Sequence, residues 1–164
     1  MATKDLLKGS LELGQFMTQM LLADFTDAEL LIRPVEGANH IAWQLGHVIN
    51  TEARLLSTIP DAMPFPVPAG FAERHTKETA KLDSPSDFLT KAEYLELWGQ
   101  VRATTIQVVM GLNDEQFSLP NPSSTSARLA PTIGAIFLLM SNHAMMHMGQ
   151  VTVVRRKLGK PTLF

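Results

Sequence analysis

The chain has 164 residues, enough for one domain with a substantial core. Hydrophobic residues make up 45% and charged residues 18%, a globular balance that excludes a disordered chain. A net charge of −2 and no basic stripe argue against nucleic acid, and the lack of cysteine excludes disulfides, zinc ribbons and a protein thiol nucleophile.

Taken in order, the N-terminal Met1-Ala2-Thr3-Lys4-Asp5 carries an acid and no apolar run, so no signal peptide is expected and the cytoplasm is the expected compartment. Leu6, Leu13, Phe16, Met17 and Met20 fall at helical spacing. They predict a first helix from about Thr3 to Leu22, with these residues as its apolar face and Thr3 as its cap. Thr26 and Glu29 have capping-box spacing and predict a short element, which Arg33-Pro34 ends.

Gly37-Ala38-Asn39 reads as a turn, with Asn39 as N-cap of a second helix over about residues 40–57. Its stripe is Ile41, Leu45, Val48, Leu55 and Ile59, with Glu52 in the middle. His47 lies on the flank beside Gln44 and Thr51. Across residues 60–85 the pattern is lost, because Pro60, Pro64, Pro66, Pro68 and Gly70 oppose a long helix or a central strand. A short helical turn is expected around Phe71 to His75, with His75 exposed. Loops this long are often functional, so the region is a candidate pocket wall.

The third helix opens on a capping box, Thr90 to Glu93. Tyr94, Leu97, Trp98, Val101, Val108, Val109 and Leu112 keep helical period, and Gly111 suits the end. A second acidic turn follows at Asn113 to Phe117, then a polar loop at residues 121–126, the other candidate pocket wall. Each acidic turn joins a long helix to a histidine-bearing one, a faint internal repeat. The fourth long helix begins near Pro131 or Thr132. It ends in Arg155-Arg156-Lys157, followed by Gly159 and Pro161. Residues 129–154 carry no charge, but Pro131, Ser141, Asn142, His143, His147, Gln150 and Thr152 are costly in hydrocarbon. The segment reads as a helix inside a bundle, not a membrane span. No period-two alternation is sustained. The expected fold is all-α, an antiparallel four-helix bundle with short connecting helices, forming one domain over residues 1–164. The apolar character of the fourth helix all round predicts cover on several sides, part of it from a second subunit in a homodimer.

The chemistry concentrates in Asn142-His143-Ala144-Met145-Met146-His147-Met148-Gly149-Gln150. Two histidines four apart lie one turn apart on one helical face, where both imidazoles reach a common metal ion. Their uncharged surroundings favour the neutral, ligating form. Methionines 140, 145, 146 and 148 read as packing, since thioethers favour soft copper(I). The second helix offers His40 and His47, about 10.5 Å apart along the axis, too far for both to join one ion. Geometry alone prefers neither.

The segment Ile41-Ala42-Trp43-Gln44-Leu45-Gly46-His47 resembles the second helix of the DinB-like superfamily. The block from Pro131 through His143, His147 and Gln150 to Lys160-Pro161 resembles its fourth helix, and residues 25–34 its connection after the first. The resemblance implies a four-helix bundle with a metal held by His47, His143 and His147. It leaves His40 and His75 as ordinary polar side chains. Gln44, Thr51 and Gln150 are neighbours of the ligands. Some members carry an acid soon after the second-helix histidine. Here Glu52 is the first, and on an ideal helix it lies roughly 140° around from His47.

The implied function is a divalent-metal-dependent enzyme acting on a small molecule, as a thiol-dependent transferase or a hydrolase. The metal is zinc, nickel or iron, and any thiol is a low-molecular-weight cofactor. The alternative is a non-catalytic metal- or ligand-binding protein of a stress response.

Overall fold

The computed structural model describes residues 2–163. Four long helices pack together: α1 (Thr3–Leu22), α2 (Ile41–Leu56), α3 (Lys91–Gly111) and α5 (Ile133–Lys157), with a short α4 (Asp114–Ser118) between the last two. Single 3-10 turns at Glu29–Leu31, Glu73–His75, Thr79–Lys81 and Pro85–Asp87 lie in the connections. No strand forms among the described residues, only one isolated bridge between Pro120 and Thr132. Among the described residues no helix is long and apolar enough to cross a membrane.

The predicted caps are made by the expected chemistry in most places. Thr90 accepts from the Glu93 amide, and Glu93 returns a bond to the Thr90 amide at 2.8 Å. Thr26 and Glu29 form the same box on their 3-10 turn. Asn113 caps α4 and Thr132 caps α5. Two expected caps move by one residue. Ala2, not Thr3, precedes the first turn of α1, and its amide is taken by Asp5. His40, not Asn39, caps α2: its Nδ1 accepts from the Trp43 amide at 3.1 Å. Imidazole competes here because its other nitrogen, Nε2, donates to the Leu82 carbonyl, which ties the cap to the later chain.

The all-α four-helix bundle is present, but it is not antiparallel throughout as expected: two of its helix pairs run parallel, as specific contacts show. Arg102 reaches the Leu11 carbonyl and Lys91 the Leu22 carbonyl, so α1 and α3 run antiparallel. Gln44 meets His147 and His47 meets His143, so α2 and α5 are antiparallel as well. Ser10 pairs with Ser141 and the Leu21 carbonyl with Arg155, so α1 and α5 run parallel. So do α2 and α3. Their first halves share one core cluster, including Ile41, Leu45, Tyr94 and Trp98, and Leu55, Leu56 and Val109 share the other. A parallel pair consecutive in sequence needs a long return connection. That is the physical reason for the long Pro-rich segment between α2 and α3.

This crossover is keyed onto the N-terminal half of α2. The His75 ring lies where a Cβ on Gly46 would stand, so only glycine admits it. Trp43 Nε1 donates to the Thr76 carbonyl, and His40 to that of Leu82. Arg33 adds a clamp, donating to Asp83 and to the carbonyls of Ala38, Ala80 and Leu82.

The expected apolar face of α1 is not its packing face. Leu6, Leu13 and Phe16 are 56%, 55% and 58% exposed, while Leu7, Leu11, Gly14, Thr18, Leu21 and Leu22 are buried. A Cβ on Gly14 would stand in ordinary contact, 3.9 Å, from Arg102 and Ser141, and the buried Thr18 hydroxyl donates to the Gly14 carbonyl, so Gly14 and Thr18 lie in the seam. Helix α5 is covered by α1, α2 and α4.

Candidate metal centre

Because α2 and α5 run antiparallel, the middle of one faces the middle of the other. His47 projects from α2, and His143 and His147 from successive turns of α5. One donor nitrogen from each lies within 4.8 Å of the others, an arrangement able to hold one ion. The rings stand edge to face, with centroids 5.0 Å (His47–His143), 5.4 Å (His47–His147) and 4.7 Å (His143–His147) apart. His147 is buried, and His47 and His143 are half-buried, so solvent reaches part of the latter two.

Hydrogen bonds decide which nitrogen of His147 is free. Its Nδ1 faces two carbonyl oxygens, Gln150 Oε1 at 2.9 Å and Gln44 Oε1 at 3.3 Å. Gln44 cannot present its amide nitrogen instead, because that group donates to the Asn39 carbonyl at 2.7 Å. Nδ1 therefore carries the proton, and Nε2 keeps its lone pair. That Nε2 stands 3.2 Å from Nε2 of His143.

Burial, then the neighbouring imidazoles, pulls His143 down to about 4; burial and His47 do the same to His147. Burial, then the cations Arg54 and Lys77, also lowers His47. All three rings are neutral at pH 7, the form that ligates.

Other titratable candidates have structural employment. Glu52 is buried on the far side of α2, accepting from Arg102 (2.7 Å), Trp98 Nε1 (3.2 Å) and Thr105 (2.9 Å). His75 is buried, against the expectation of an exposed loop residue. Its Nδ1 donates to the Phe71 carbonyl at 2.7 Å, so Nε2 accepts from the Tyr94 hydroxyl at 2.8 Å, and burial holds it down to about 4. The loop at residues 121–126 is not a wall of this site. Asn121 bonds back to Ser126 and to the Ala130 carbonyl at the start of α5, about 15 Å along the helix from His143. Of the Pro-rich segment, the stretch near Thr76 reaches the site. Sequence reasoning missed the role of Trp43, whose ring stacks on His47 at 4.9 Å and 7°. Its position four residues before His47 was the available signal.

Two solved structures share this architecture. A conserved Enterococcus faecalis protein is 19% identical, with a TM-score of 0.70, covering 98% of this chain and 99% of its own. YfiT from Bacillus subtilis, described as a probable metal-dependent hydrolase with an unusual four-helix bundle topology, is also 19% identical. Its TM-score is 0.66, and the match covers 96% of this chain and 89% of YfiT. No functionally curated protein matches the chain. The sequence model of the DinB superfamily matches residues 10–151, and the chain belongs to that superfamily.

Proposed function

We propose that the chain is a divalent-metal-dependent enzyme acting on a small molecule, with His47, His143 and His147 as the metal ligands. The observation that carries this reading is the convergence of three imidazoles, one buried and two half-buried, with a donor nitrogen from each within 4.8 Å of the others. Nitrogen donors of this kind suit zinc, nickel or iron. An ion held by His47, His143 and His147 would supply a Lewis acid, for polarising a carbonyl or binding water or a thiol as its anion. The protein's part is to keep the three rings neutral, to fix the His147 tautomer through Gln44 and Gln150, and to hold the second-helix histidine against the pair. The description of YfiT supports hydrolysis. Thiol-dependent transfer is the other reaction class, and with no cysteine in the chain the thiol is a low-molecular-weight cofactor.

One observation favours a second reading, a non-catalytic metal- or ligand-binding protein of a stress response. The three-histidine group includes no carboxylate to serve as a general base. Turnover separates the two. Metal-loaded protein, purified without a polyhistidine tag, is assayed on activated esters and on an electrophile with a low-molecular-weight thiol. Activity that disappears in His47→Ala supports the enzyme; full loading without turnover on either substrate class supports the binding protein.

We also propose a homodimer. Exposed apolar side chains occur on both α1 and α5, which pack together: Leu6, Leu13 and Phe16 on one, Leu138, Met146 and Val153 on the other. Apolar surface of that kind is characteristic of interfaces. Sedimentation at micromolar concentration tests it, and a monomeric mass refutes it.

A further inference from the structure

We propose that Trp43 is a positioning residue for His47, its indole fixing the plane in which that imidazole meets the ion. The inference rests on the metal reading above. The three histidines are not held alike. His147 is fixed by Gln44 and Gln150, and His143 stands against His147 through their Nε2 atoms. Among the described residues no hydrogen bond reaches either ring nitrogen of His47, so packing alone sets its orientation. The closest ring-on-ring packing is the indole of Trp43, one turn earlier on α2, at 4.9 Å between centroids and 7° from parallel.

The indole is itself immobile. Trp43 is 5% exposed, and its Nε1 donates to the Thr76 carbonyl of the crossover at 3.0 Å. A flat, tethered surface on one side of the imidazole permits in-plane presentation of a nitrogen and opposes tilting. The stack also distinguishes the loaded from the empty site. An imidazole bound to a cation gains positive character, and an indole face attracts it more strongly than a neutral ring. Trp43 therefore favours metal binding beyond holding a shape. Removing it should resemble removing the outer partners of other metal-ligating histidines, where affinity falls ~10–100-fold.

The test uses the full chain without a tag, as wild type, Trp43→Phe and Trp43→Leu. Zinc affinity is measured by competition with a chromophoric chelator. Trp43→Leu is expected to weaken zinc binding ~10–100-fold. Trp43→Phe keeps a ring but loses the bond to Thr76, and is expected to stay nearer wild type than Trp43→Leu. The apo protein gives an independent readout: ring-current shifts of the His47 side-chain protons, present in wild type and Trp43→Phe, absent in Trp43→Leu. Unchanged zinc affinity in Trp43→Leu overturns the positioning role and leaves the metal reading intact. Equal weakening in Phe and Leu transfers the role to the Thr76 tether and overturns the stack. Missing ring-current shifts in wild type overturn it whatever the variants do, including when Trp43→Leu fails to fold. A wild-type chain that binds no zinc, nickel or iron defeats the metal reading, and this inference with it.

Discussion

Gln44 and His147 meet across the α2–α5 seam, Oε1 to Nδ1 at 3.3 Å, while the same amide donates to the Asn39 carbonyl at 2.7 Å. This contact and the 2.9 Å one from Gln150 hold the proton on Nδ1 and leave Nε2 toward the other histidines. Removing both oxygens in Gln44→Leu/Gln150→Leu is expected to weaken metal binding ~10–100-fold without emptying the site at saturating metal. Competition titration reads the change. Affinity equal to wild type would show that the tautomer is not set by these amides.

The ligands themselves should behave as a set. Single His47→Ala, His143→Ala and His147→Ala proteins, purified without a tag, are expected to carry well under one tenth of the wild-type metal by elemental analysis, given three donors to one ion. Wild-type-like content in all three variants would remove the site.

Charge around the site predicts which thiols it takes. Burial first, then the cations Arg54 and Lys77, lowers His47, and a thiol that carries a second negative charge gains from those two cations. With cobalt loaded, mercaptoacetate is expected to bind more tightly than cysteamine, read from the thiolate-to-cobalt absorption band. Arg54→Gln should shrink the preference several-fold, on the order of 1 kcal/mol for an exposed charge. Equal affinities for the two thiols in wild type would refute the selection.

Glu52 answers to stability instead of metal. Its carboxylate is 2.7 Å from Arg102, with side chains 2% and 0% exposed. Glu52→Ala leaves a buried guanidinium uncompensated and is expected to cost on the order of 3–5 kcal/mol in urea unfolding. Zinc affinity of the folded fraction should stay near wild type. A loss below about 1 kcal/mol would mean that water replaces the carboxylate.

Three histidines make the metal-free protein acid-sensitive. His75, His143 and His147 titrate at about 4 when folded, below the ordinary value of 6.5 that the unfolded chain recovers. Between those values the unfolded chain binds more protons, so stability falls as pH drops from 6.5 to 4 and is fully present above 6.5. Each group that titrates fully on unfolding adds up to ~1.4 kcal/mol per pH unit. Urea midpoints across this range should show that slope, and His75→Gln should reduce it. An identical slope in His75→Gln would show that His75 is not held neutral by the fold.

What was legible in the sequence was local. Helix spans depend on periodicity and caps, and the Thr90 box, the Thr132 cap and the Arg-Lys-Gly ending of α5 were all visible because their partners lie within four residues. The His143–His147 pair was visible for the same reason: one turn of helix sets their spacing. The choice of His47 over His40 came from family likeness. In the structure His47 lies beside His143 and His147, while His40 caps α2 and bonds Leu82. Tertiary contacts decided the rest. Periodicity finds an apolar stripe but cannot say which stripe a neighbour covers, so Leu6, Leu13 and Phe16 form such a stripe and stay exposed while Gly14 and Thr18 lie buried in the seam. Helix direction, the burial of His75 over Gly46 and the stack of Trp43 on His47 all depend on how the crossover returns to start α3 beside α2. Those contacts join segments far apart in the chain, and no local pattern encodes them.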